Sequence, residues 1–159
     1  MIVARTFDEL EGVLNGSCLT IGNFDGVHLA HQKLLGRVRE RAKALNVVSL
    51  AVTFEPHPRA VLLGKNVPPR LTTPDVKLEL IAETGIEACL VLPFTRAFAS
   101  IEPEDFVRDC LLRDLGMREL IVGHDWAFGK GRKGDFETLS AIGRDAGFMV
   151  ERLAPVLVE

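Results

Sequence analysis

Short, nearly unbroken apolar runs alternate along the chain with stretches in which apolar residues recur every three or four positions. That is the pattern of strands buried on both faces alternating with amphipathic helices. Cys18–Gly22 (CLTIG) predicts a first strand ended by glycine. Beyond an Asn23–Val27 turn, His31, Leu34, Leu35, Val38, Ala42 and Leu45 share one side of a helix, while Arg37, Arg39, Glu40, Arg41 and Lys43 fall mostly on the other. Val47–Phe54 (VVSLAVTF), apolar and rich in β-branched residues, predicts a central strand. From Glu55 to Arg70, Pro56, Pro58, Pro68 and Pro69, with Pro74 just beyond, predict a long irregular connection. Thr73 as cap and Pro74 at the first helical position open the next helix, which Gly85 closes. Ala88–Pro93 predicts a third strand, Pro103 to about Leu115 a helix ended by Gly116, and Glu119–Gly123 a fourth strand. Asp135 predicts the cap of a helix reaching Ala146, and Phe148–Arg152 a fifth strand. The alternation predicts an α/β fold, a Rossmann-like doubly wound parallel sheet of about five strands, in a single domain over residues 1–159.

Composition narrows the class. With 47% hydrophobic and 26% charged residues, the chain reads as a globular domain able to bury its own core. The start, MIVARTFDEL, lacks the apolar stretch of a signal peptide, and no apolar run approaches the ~18 residues of a membrane helix. Cys18, Cys89 and Cys110 lie widely spaced in or beside apolar segments and predict buried free thiols in a reducing cytoplasm. A net charge of −3 argues against a nucleic-acid partner. Lys130, Arg132 and Lys133 in GKGRKGD are a local exception.

The candidate chemistry gathers in GNFDGVHLAHQKLL, Gly22 to Leu35. In doubly wound folds ligands bind beyond the carboxyl ends of strands, and the helix that follows offers unpaired N–H groups to an anion. His28 and His31, three apart, share a helix face and suit a phosphate chain. Two other readings stay open: zinc ligation, for which His57 and His124 are the other histidines, and packing of His31 in the core. Asp25 is as readily a helix cap as a direct participant. The loop matches neither G-x-G-x-x-G nor the P-loop, which removes the commonest dinucleotide and kinase readings. The loop from His124 to Gly134 is too long for a plain connector and predicts a functional one.

GNFDGVHLAH resembles the H-x-G-H signature of the nucleotidyltransferase superfamily, in the form found in prokaryotic bifunctional riboflavin kinase/FAD synthetases. TFEPHPRAVL (Thr53–Leu62), PRLTTPDVKLELIAETGIE (Pro69–Glu87), FASIEPEDFVRDCLL (Phe98–Leu112) and IVGHDWAFGKGRKGD (Ile121–Asp135) are similar to further blocks of that family's N-terminal FMN adenylyltransferase module. The resemblance implies transfer of AMP from ATP to FMN, giving FAD and pyrophosphate, with Mg2+ accompanying ATP and a riboflavin kinase module following in the full-length protein. It implies catalytic roles for His28 and His31. Nucleotide contacts would come from Gly22, Asn23, Phe24, Asp25, Gly26, Gly123, Asp125, Phe128, Gly129 and Arg132. Flavin contacts would come from Pro56, His57, Pro58, Phe106 and Phe128, although spacing alone makes Phe106 a helix-core residue. No certain protein ligand for a metal is implied.

Two departures stand out. Ala30 occupies the position of the motif's glycine. The family's Ser/Thr-rich segment ending in Arg would begin just past Glu159, so this stretch by itself is expected to bind nucleotide or flavin and to form FAD slowly or not at all. Another adenylyl- or cytidylyltransferase of the superfamily, or a nucleotide- or flavin-binding module without turnover, are the alternative readings.

Overall fold

The computed structural model describes residues 1–55, 73–124 and 135–154. Six parallel strands form one sheet: β1 (Ile2–Ala4), β2 (Ser17–Ile21), β3 (Val48–Glu55), β4 (Ala88–Pro93), β5 (Met117–Val122) and β6 (Met149–Arg152). Their spatial order is β1-β4-β3-β2-β5-β6. The five strands expected from the sequence are all present, each within two residues of its expected limits. The sixth, β1, pairs with β4 through Ile2–Ala88 to Ala4–Leu90. Three residues, two of them exposed, are too few to show a strand period, so β1 leaves no pattern in the sequence.

The helices are α1 (Leu29–Leu45), α2 (Pro74–Glu83), a short α3 (Arg96–Ala99), α4, which opens as Pro103–Asp105 and continues as a π-helical segment Phe106–Leu112, and α5 (Phe136–Ala146). The N-caps of α2 and α5 lie where the sequence placed them. Thr73 Oγ1 accepts from Val76 N–H at 3.3 Å, and Asp135 Oδ1 accepts from Thr138 N–H at 2.9 Å. α5 ends on Gly147, whose φ of +91° suits the left-handed cap conformation. The expected ordinary helix from Pro103 to Leu115 is replaced by a wider turn. Phe106, Val107 and Leu111 are its buried positions, and Arg113 N–H donates to Arg108 C=O at 3.3 Å and Leu115 N–H to Cys110 C=O at 3.2 Å, the five-residue span of a π turn.

Both faces of the sheet are covered. On one, Leu34, Leu35, Val38 and Ala42 of α1 and Ile81 of α2 pack on Cys18, Ala51, Cys89, Val91 and Ile121. On the other, Phe106, Val107 and Leu111 of α4 and Leu139 and Ile142 of α5 pack on Leu19, Ile21, Leu50, Val52, Leu90, Leu120 and Val122. The alternation of these two sets along each strand is the expected doubly wound arrangement. Cys18, Cys89 and Cys110 are free thiols; burial pushes Cys18 and Cys89 up to about 12, so both are inert. Among the described residues no helix is long and apolar enough to cross a membrane.

The strand order places the site. From β2 the chain steps to β3 and then β4 on one side, and β5 returns to the other side of β2. The order therefore reverses at β2/β5, where the carboxyl ends diverge into a crevice. Leu19 pairs with Leu120 in parallel register, so Gly22 and Gly123, three residues on, leave adjoining strand ends.

Candidate functional site

The loop leaving β2 is built from conformations that only burial can hold. Phe24 and Val27 have φ of +52° and +41°, and Gly26 between them has +79°. For Phe and the β-branched Val this left-handed region costs of order 1–3 kcal/mol each. Both side chains are buried, at 1% and 3% exposure, which anchors the turn; Val27 N–H also donates to Phe24 C=O at 3.1 Å. The Phe24 ring lies over Gly22, where an added Cβ would come within 3.1 Å of it. Gly22 N–H donates to Val52 C=O at 3.0 Å, tying the loop's first residue to β3.

α1 begins directly after this turn. His28 occupies the N-cap position in extended conformation, and its side chain makes no capping bond. The cap thus falls three residues beyond Asp25, which sequence reasoning weighed as a cap. No acidic residue stands in the first turn of α1 itself.

His28 is exposed and His31 half-buried. Their rings stack with centroids 3.6 Å apart and planes at 19°. His31 in turn meets Phe24 edge-on, centroids 5.3 Å apart. His31 Nδ1 is buried with no hydrogen-bond partner among the described residues. Burial, then the charge of His28, lowers His31 from 6.5 to about 4, against a smaller opposing pull from Asp25. Among the described residues a second N–H at Nδ1 would find no acceptor, and with its value lowered to about 4 the His31 imidazole is neutral at physiological pH. The pair is one outward and one inward imidazole, aimed at the start of α1.

The structure brings Gly22–Gly26, His28, His31 and Gly123 to one edge of the sheet. A Cβ at Gly123 would meet no described atom within 4 Å. Ala30, in the glycine position of the motif, is half-buried in the first turn of α1. Phe106 is 2% exposed on α4 and packs edge-on against Phe98, which also touches Phe54 near the carboxyl end of β3. Pro56, His57, Pro58, Asp125, Phe128, Gly129 and Arg132 lie outside the described residues. Among those described, no three His, Cys, Asp or Glu side chains group as a metal site, so the zinc reading of the histidines gains no third ligand here.

Sequence reasoning missed Lys77. It is 1% exposed on α2, and its Nζ donates to Asn23 C=O at 3.1 Å, Thr53 Oγ1 at 3.0 Å and Phe54 C=O at 3.2 Å, with Glu55 Oε1 at 2.9 Å. Thr53 Oγ1 donates to the same Asn23 carbonyl at 3.2 Å. The available signal was its position four residues before Ile81, on the buried face of α2.

A family model described as FAD synthetase matches residues 11–159. The bifunctional riboflavin kinase/FMN adenylyltransferase of Haemophilus influenzae is 37% identical over 151 residues, 95% of this chain and 49% of the relative. That of Escherichia coli is 40% identical over 133 residues, 84% of this chain and 42% of the relative. That of Buchnera aphidicola from Schizaphis graminum is 36% identical over 157 residues, 99% and 50%. The chain spans about half the length of the curated relatives it matches. A solved structure described as a macrolide-efflux protein from Streptococcus pneumoniae superposes with a TM-score of 0.83 at 23% identity, covering 99% of this chain and 52% of the other; at that identity the likeness is one of fold.

Proposed function

Since this chain belongs to the FAD synthetase family, we propose that it is an FMN adenylyltransferase module, transferring AMP from ATP to FMN with release of pyrophosphate, and that a riboflavin kinase module accompanies it in the full-length protein. The observation that carries this reading is the stacked His28–His31 pair at the start of α1, beyond the carboxyl end of β2 and beside that of β5.

An oxygen of the FMN phosphate attacks the α-phosphorus of ATP. The new P–O bond forms as the bond to the β-phosphate oxygen breaks, and the electron pair leaves with pyrophosphate. Two anions must be brought together and a third released, so the protein's work is positioning and charge compensation. The Gly22–Gly26 backbone and the first turn of α1 supply N–H donors to the phosphates. His28, exposed at the N-cap, and His31, held behind it, donate to oxygens on which charge grows. His31 is neutral, so it acts as a directed hydrogen-bond donor rather than a cation. Mg2+ would accompany ATP; imidazoles are poor partners for this hard ion, so phosphate oxygens and water would supply most of its coordination, with the Asp25 carboxylate beside them in the loop. Gly123 leaves room for the adenosine at the end of β5. Asp125, Phe128, Gly129 and Arg132 would complete the nucleotide site, and Pro56, His57 and Pro58 a wall for the flavin.

The test is product analysis of the full-length protein with α-labelled ATP, MgCl2 and one acceptor at a time: FMN, nicotinamide mononucleotide or phosphopantetheine. Labelled FAD and unlabelled pyrophosphate should appear with FMN. Turnover of another acceptor with none of FMN would overturn the reading.

A further inference from the structure

An ammonium at 1% exposure is costly unless fully partnered, and a methionine at position 77 would fill similar space beside Ile81. The four oxygens around Lys77 come from the ends of two strands: Asn23, one residue into the loop that leaves β2, and Thr53, Phe54 and Glu55, which close β3. Asn23 leads directly into the phosphate-facing turn and His28. Glu55 is followed in sequence by Pro56, His57 and Pro58, the proposed flavin contacts.

We propose that Lys77 is a positioning residue for adenylyl transfer: its ammonium locks the first carbonyl of the nucleotide loop to the end of β3 and so fixes the spacing between the segments that hold the two substrates. The inference rests on the proposed function. Lys77 touches neither reacting group; it acts through Asn23 and Glu55. The lock has two layers, because Thr53 Oγ1 accepts from the ammonium while donating to the same Asn23 carbonyl. Removing the ammonium leaves the loop's phosphate donors in place but frees their alignment relative to β3. Displacements on the ångström scale of this kind cost about 10²-fold in rate.

The experiment compares wild type, Lys77→Met and the double variant Lys77→Met/Glu55→Gln. The double variant removes the carboxylate that the single one would leave beside an apolar side chain. Rates of FAD formation are expressed per folded chain, with the folded fraction taken from circular-dichroism melting. Both variants should lose about 10²-fold in kcat while KM for ATP and for FMN stays within about threefold, the signature of lost alignment rather than lost binding. A double variant that folds and keeps kcat per folded chain within about threefold of wild type overturns the inference and leaves the proposed function standing. Failure of both variants to fold also overturns it, since the ammonium would then serve the fold. Full-length wild type that forms no FAD from ATP and FMN overturns the proposed function, and this inference with it.

Discussion

His28 and His31 stack face to face, ring centroids 3.6 Å apart, although one is the N-cap and the other lies inside the first turn of α1. Each ring therefore limits the orientation of the other. Replacing either by alanine should lower kcat for FAD formation by about 10²-fold, the usual loss for one donor to developing charge. The double variant should lose much less than the product of the two, because the rings act as a unit. Since His28 is exposed, His28→Ala should leave stability within about 0.5 kcal/mol of wild type. Steady-state kinetics and thermal melting of the three variants check both statements.

The lowered His31 value sets a stability window. The unfolded chain takes up this proton near 6.5 and the folded chain near 4, so between those values the unfolded state binds more protons. Stability from this group is therefore fully present above pH 6.5 and is lost as pH falls toward 4, with an upper bound of ~3 kcal/mol. Urea unfolding at pH 7 and pH 4.5 should show a larger loss in wild type than in His31→Gln. Equal losses would mean that the carboxylates alone carry the acid sensitivity.

The sheet was legible because its inner strands are apolar on both faces. Cys18–Gly22 and Val47–Phe54 announce themselves by composition, and the Thr73-Pro74 and Asp135 starts by cap chemistry. β1 was not legible, since its three residues are recognised only by pairing with β4, 86 residues on in the chain (Ile2 with Ala88). The π-helical run after Asp105 was read as an ordinary helix because the choice between periods is settled by contacts with Phe98 and the sheet. At the site, the histidines and glycines were found from their types and spacing, while Lys77 was passed over. A lysine on an amphipathic helix is ordinarily solvated, and only the fold shows four oxygens converging on it. The positive φ values of Phe24 and Val27 are likewise a tertiary effect, imposed by burying both side chains.

Gly22 is the place where the loop and the histidine pair are mechanically joined. A Cβ there would lie 3.1–3.3 Å from three atoms of the Phe24 ring, tighter than ordinary contact, and Phe24 in turn supports His31. Gly22→Ala should push the ring against His31 and disturb the stack. The expected result is a loss of about tenfold in kcat with about 1–2 kcal/mol of destabilisation, an overpacking effect transmitted to the site. Kinetics together with urea unfolding separate the two. A change in stability with unaltered kcat would show that the Phe24–His31 contact does not set the imidazole position.

Arg41 and Glu119 provide the contrasting case, an ion pair between a half-buried arginine and a buried carboxylate, remote from the reaction. Arg41 Nε on α1 donates to Glu119 Oε2 on β5 at 2.8 Å, and Glu119 is 4% exposed. Glu119 pairs with Cys18 near the start of its strand, roughly 13 Å along β5 from the carboxyl edge at Gly123. Arg41→Met strands a buried carboxylate and should cost about 3 kcal/mol, whereas Arg41→Met/Glu119→Leu should recover most of that loss, because desolvating two charges offsets much of their attraction. Neither variant should change KM for ATP by more than about twofold, as the perturbed groups lie at the opposite end of the sheet. A double-mutant cycle by urea unfolding measures the coupling. If the double variant is no more stable than Arg41→Met, the carboxylate was not held by this arginine, and α1 is fixed to β5 by apolar packing alone.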